Sequence, residues 1–116
     1  MSPDDVRTIA LAQPEAVESE HMRNPDFRVG GKVFATLGSP DAGHAMVKLT
    51  PEAQERCLRL YPAVFLPAAG AWGRRGCTLV RLDRATAKIV APAVAAAWRA
   101  TAPKAVAARH PPDGGQ

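Results

Sequence analysis

"DFRVGGKVFATLG", residues 26–38, decides the architecture of this chain. Apolar and polar residues alternate on both sides of a Gly-Gly pair, which is the period of a half-buried strand. Glycine accepts positive φ at little steric cost, so Gly30 and Gly31 predict the two central residues of a tight hairpin turn. That turn pairs Val29 with Lys32, Arg28 with Val33 and Phe27 with Phe34. Phe27, Val29 and Phe34 then share one face, and a one-residue slip would separate them. Lys32 falls beside the tip on that same face, its stem packed and its head in water. Arg28 projects from the opposite face.

Outward from the hairpin, the N-terminal flank opens as a helix. Ser2, Pro3 and Asp5 supply a capping hydroxyl, a proline at the first helical position and an acid three residues after the cap. Val6, Ile9 and Ala10 follow at helical spacing until Pro14, predicting a helix over 3–12. "EAVESEH", 15–21, reads as a short strand with one exposed, acidic side. On the other flank, "SPDAG" at 39–43 is a turn by composition. "HAMVKLT", 44–50, then alternates, with Ala45, Val47 and Leu49 on one face and Met46, Lys48 and Thr50 on the other.

Thr50, Pro51 and Glu52 start a second helix, whose stripe of Ala53, Cys57, Leu60 and Tyr61 runs to Pro62. The segment 62–76 is rich in Pro and Gly and reads as irregular. "CTLVRLD", 77–83, is a returning strand with Thr78, Val80 and Leu82 inward and Cys77, Leu79 and Arg81 opposite. A closing helix over 85–101 places Ile89, Ala93, Val94, Ala97 and Trp98 at helical spacing, and Pro92 within it predicts a kink or a late start. The sum is an α+β domain, an antiparallel β-meander sheet packed against about three helices. Residues 1–108 make a single domain, and "RHPPDGGQ" at 109–116 has nothing to pack and is expected to be a disordered tail.

At 116 residues and 47% hydrophobic, the chain can bury one core. No apolar stretch reaches membrane-span length, and "MSPDDVRT" is acidic where a leader would be basic, so a soluble, cytoplasmic protein is expected. The net charge of +4 is unevenly distributed. Residues 1–20 hold one arginine against five acids, whereas 21–116 hold 14 Lys and Arg against six, leaving +8 on the body of the fold. A polyanionic partner fits that balance. Cys57 and Cys77 lack metal or redox spacing and read as small buried hydrophobes.

Catalytic residues are not evident. His21, His44 and His110 are scattered; His21 with Asp26, or His44 with Asp41, falls short of a metal-ligand set. Asp26, Asp41 and Glu52 read as turn or cap residues. "GSPDAG" has no following lysine and precedes a strand, so it is not a phosphate loop. No cofactor is expected. The basic positions are more informative: Arg28 and Lys32 flank the hairpin tip, Lys48 lies on the next strand, and Arg74 and Arg75 sit between glycines behind Trp72. Adjacent arginines suit phosphate contacts, and a hairpin can enter a DNA groove.

"HMRNPDFRVGGKVFATLG", "MVKLTPE", "GAWGRRGCTLVRL" and "AWRATAPKAV" resemble, in order and spacing, the MmcQ/YjbR-like family of small bacterial proteins. The family pattern falls on Phe27, Arg28, Gly31, Lys32, Lys48, Trp72 and Gly73. The resemblance implies a compact α+β fold of the double-wing type and, by fold analogy, duplex DNA binding. Two function classes follow as expectations. The first is a monomeric double-stranded DNA-binding module whose wings lay Arg28, Lys32, Lys48, Arg74 and Arg75 along phosphates. The second is a non-enzymatic binding module for a small anionic ligand or a protein partner, with Arg28 and Lys48 converging on a pocket and Trp72 at its rim.

Overall fold

The structure, a computed structural model, describes residues 1–112. Ser2 caps the first helix, α1 (Pro3–Leu11): its hydroxyl accepts from the Asp5 amide at 3.1 Å, and the Asp5 carboxylate accepts from the Ser2 amide at 2.8 Å. Four strands follow, β1 (Val17–His21), β2 (Asn24–Val29), β3 (Lys32–Leu37) and β4 (His44–Lys48). Helix α2 (Pro51–Leu60), strand β5 (Phe65–Pro67), the short helix α3 (Gly70–Arg74) and strand β6 (Cys77–Arg81) come next. A 3₁₀ turn at Leu82–Arg84 leads to α4 (Ala87–Thr101) and α5 (Lys104–Arg109). The sheet order is β1-β2-β3-β4-β6-β5, with every neighbouring pair antiparallel.

The α+β antiparallel design holds, and the described residues add two short helices, α3 and α5, to the three expected. The segment 62–76, read as irregular, contains both β5 and α3. Three residues of β5 and five of α3 are too few to show a period.

One face of the sheet carries the core. Phe27, Val29, Phe34, Ala35, Val47, Thr78 and Val80 are buried there to 1% exposure or less. Helix α4 lies across β3 and β4 and packs on α1, bringing Val90, Val94, Ala97 and Trp98 onto that face together with Val6 and Ala10. Each fully buried Val or Phe side chain among them is worth about 1.5–3 kcal/mol relative to exposure. The Trp98 indole N–H, which needs a partner once buried, donates to the Pro14 carbonyl at 2.8 Å. Pro92 sits on the exposed side of α4, where its missing amide interrupts no core contact.

Gly30 and Gly31 turn the β2–β3 hairpin at φ of 58° and 80°, and Val29 faces Lys32 as the turn predicts. The Phe27–Phe34 pair does not form. A bulge shifts the register after Arg28, so Phe27 stands opposite Ala35. The extra residue in β3 lets Phe34 and Ala35 both reach the core.

The stripe of α2 is also rotated from expectation. Ala53, Cys57 and Leu58 pack against the core beside buried Gln54, while Leu60 and Tyr61 are 56% and 41% exposed. Helix α2 packs on the short strand β5, at the end of the sheet, and needs only a narrow contact.

The C-terminal segment has partners that the sequence did not reveal. Arg109 ends α5 and donates twice to Glu15, at 3.1 and 2.9 Å, and the His110 ring lies 2.9 Å from the same carboxylate. These bonds hold Glu15 below its ordinary carboxylate pKa. Arg109 and His110 are therefore part of the packed domain. Residues 113–116 of the expected tail lie outside the described residues.

Candidate ligand-binding concavity

Among the described residues, the second face of the sheet is bare of helices except where α3 folds beside β6. In a strand, residues two apart share a face, and across an antiparallel pair directly opposed residues do so too. These rules assemble two rows on the bare face. Arg28 faces Val33, and Lys48 faces Cys77; one turn of the pleat away, Asp26 faces Thr36, Thr36 faces Met46 and Met46 faces Leu79. The first row holds the two cations, and the second sets Met46 and Leu79 beside Thr36 and the buried Asp26. Together with Trp72 from α3, they line a concavity of about 640 Å³.

Asp26 organises the cationic end. It is wholly buried, and Arg28 clamps it with Nε at 2.8 Å and Nη2 at 3.0 Å while His21 Nδ1 approaches at 2.7 Å. The bidentate Arg28 contact, seconded by His21, holds the Asp26 carboxyl below its ordinary pKa against the opposing effect of burial. Arg28 in turn is held more firmly protonated by the same bonds. Among the described residues, its Nη1 has no hydrogen-bond partner. The sequence reading placed Asp26 in a turn; it stands within β2, and Asp26-x-Arg28 in a strand was the available signal that both share one face.

The rim beside His21 is a two-residue turn, Met22–Arg23, with φ of 50° and 69° and Met22 89% exposed. On the opposite wall, Gly73 of α3 lies so close to the Ala68 carbonyl that no Cβ would fit. Buried Gln54 donates to the Gly73 carbonyl at 2.9 Å and to the Cys77 carbonyl at 3.1 Å, tying α3 to β6. Trp72, anchored by that backbone, is 61% exposed. Burial pushes the Cys77 thiol up, against the pull of Lys48 and Arg75.

The structure brings together Arg28, Lys48 and Trp72 and leaves the other expected residues apart. Lys32 pairs with Val29, whose face is the core face, so it points to the helix side. The hairpin tip does not stand free: a Cβ at Gly30 would fall 2.5 Å from Cγ of Pro103, in the α4–α5 link. Arg74 is exposed on α3, and Arg75 lines a separate, smaller cavity of about 370 Å³ that shares Lys48 and Trp72 with the first. His44 lies 2.8 Å from Asp41, as His21 does from Asp26 at 2.7 Å; among the described residues, no three His, Cys, Asp or Glu gather as a metal site.

A two-layer α+β domain with one sheet face left bare, and a basic, apolar hollow upon it, is the class these features define. Residues 11–107 match the family profile described as YjbR, and the chain belongs to that family. Among solved structures, the crystal structure of Deinococcus radiodurans protein DR2400, with a DUF419 domain, shares the fold. Its TM-score is 0.75 at 17% identity, over 99% of this chain and 94% of that one. No curated protein matches. Among the described residues, no helix is long and apolar enough to cross a membrane.

Proposed function

We propose that the protein is a non-enzymatic module that binds a small anionic molecule in the concavity on the bare face of its sheet. The observation that carries this reading is the placement of Arg28 and Lys48 on β2 and β4, flanking an apolar floor with Trp72 at the rim. A hollow of about 640 Å³, mostly apolar with a few convergent polar groups, is the usual form of a small-molecule site. Among the described residues, each of the three imidazoles is hydrogen-bonded to a carboxylate, His21 to Asp26, His44 to Asp41 and His110 to Glu15. Cys57 and Cys77 are free thiols, which suits a reducing compartment such as the cytoplasm.

Duplex DNA is the competing ligand. It requires Arg28, Lys32, Lys48, Arg74 and Arg75 to follow one line of phosphates, whereas Lys32 shares the core face with Val29, on the opposite side of the sheet from Arg28 and Lys48. The pocket reading asks less of the geometry.

The test is isothermal titration calorimetry with a panel of small aryl and alkyl carboxylates and phosphates, beside anisotropy with labelled duplex DNA over a salt series. Lys48→Ala should weaken the small-anion complex roughly tenfold, the measure of one charge-assisted contact, and Lys32→Ala should leave it within about twofold. Salt-dependent duplex binding that weakens in Lys32→Ala and about twice as much, in log affinity, in Arg74→Ala/Arg75→Ala, with no small-anion binding, would replace this reading with the DNA one.

A further inference from the structure

Resting on the reading of the concavity as a ligand site, we propose that its ligand is an aryl acid. The aromatic ring lies against Trp72, and one acidic group, carboxylate or phosphate, sits between Arg28 and Lys48. Three observations converge on this chemistry.

The first is the separation of polarity within the hollow. The cationic row holds Arg28 and Lys48 beside Val33 and Cys77, and the neighbouring row supplies Met46 and Leu79, with Thr36 and Asp26 at its Arg28 end. A ligand that satisfies both carries its charge at one end and an apolar body at the other. The strands bearing Arg28 and Lys48 are separated by β3 alone, so their backbones stand about 10 Å apart, two interstrand spacings. Two long side chains across that gap converge on one acidic group. Arg28 offers the Nη1 that Asp26 leaves unbonded, and Lys48 offers its ammonium.

The second observation is the exposure of Trp72. Phe27, Phe34, Phe65 and Trp98 are all at 2% exposure or less, whereas Trp72 is 61% exposed on the wall of the hollow. A tryptophan left open beside an apolar floor has a face to offer, and another aromatic ring covers it better than a flexible alkyl chain does. Met46 on the floor suits the same guest, because a thioether packs well against ring edges.

The third is rigidity. Gly73 presses on the Ala68 carbonyl, and Gln54 bonds both the Gly73 and Cys77 carbonyls, so the backbone beneath Trp72 is fixed before any ligand arrives. A preorganised flat wall selects planar guests without an ordering cost.

The experiment compares 2-naphthoate with undecanoate, probes of equal carbon number, by calorimetry on the full chain, with 1-naphthyl phosphate and uncharged 2-naphthylmethanol alongside. The wild type should bind naphthoate and naphthyl phosphate roughly tenfold tighter than undecanoate, and the alcohol more weakly than either aryl acid. Trp72→Leu should bring naphthoate and undecanoate to parity, while Trp72→Phe, which keeps a ring, should retain most of the preference. In a Trp98→Phe background Trp72 is the sole tryptophan, and naphthoate should change its emission. If undecanoate binds as tightly as naphthoate and Lys48→Ala weakens both, the site stands and the aryl assignment falls. A preference unaltered in Trp72→Leu also overturns it. If no acid on the panel binds the wild type, the assignment and the site fall together.

Discussion

On the helix side of the sheet, Phe27, Val29, Val47 and Val80 are sealed beneath α1 and α4; on the other side, Arg28, Lys48 and Leu79, each one residue along the same strands, meet the hollow. The same backbone carries both sets, and alternation alone separates them. Residues on the covered face answer to packing, because each must fill a space that α4 defines. Residues on the bare face answer to whatever enters from solvent. An apolar floor of Val33, Met46 and Leu79 without a covering helix is the ground on which a recognition role is proposed for this face.

The contrast is most easily broken by truncation on the covered face. Phe27→Ala should cost about 3–5 kcal/mol, read as a fall in the urea midpoint at unchanged slope. Met46→Ala on the bare face should cost less than about 1 kcal/mol, since it opens no sealed cavity. Equal costs would mean that the bare face is structural after all.

Asp26 tests the boundary between the faces, because it is fully buried yet belongs to the bare side. Asp26→Asn should lower the midpoint by less than Phe27→Ala and weaken small-anion binding by releasing Arg28. Its folded-state pKa lies below the unfolded value, so the ion-pair stabilisation is complete above pH ~4 and is lost as pH falls through the folded value. Wild type should therefore lose stability more steeply than Asp26→Asn on acidification below that range, as followed by urea unfolding at a series of pH values. The smallest expected change is at the hairpin tip. Lys32→Ala should alter neither stability nor small-anion affinity beyond experimental scatter, because its ammonium is exposed and remote from the hollow.

Much of this arrangement was legible in the chain. Gly30-Gly31 set the hairpin turn, the alternation of 77–82 placed Thr78, Val80 and Leu82 inward, and Met46 and Lys48 were assigned together to the face opposite Val47. What escaped has physical causes. A bulge adds a residue without any compositional mark, so the Phe27–Phe34 pairing looked better than the one that forms. The turn at Met22–Arg23 uses positive φ without glycine, which hid the close pairing of β1 with β2. Five-residue α3 lies below the length at which periodicity speaks, so Trp72 and Arg74 were read as loop residues. Of the candidate residues named from the sequence, Arg28, Lys48 and Trp72 line the concavity, whereas the place of Asp26 beside Arg28 was missed because it resembled a turn residue at the head of an apolar run. The division of Arg28 from Lys32 was already legible in the alternation, which set Lys32 on the face of Val29 and Arg28 on the opposite one.

The packing of α1 against α4, with the Trp98 indole bonded to Pro14, joins parts of the chain 84 residues apart. On a ribosome, α1 and the first strands emerge long before the helix that covers them. Until α4 follows, the apolar side of the growing sheet has no lid. Productive folding is thus held back until α4 has been made. A premature stop within α4 should yield an aggregate rather than a shortened domain, even though every residue of the hollow has already been made.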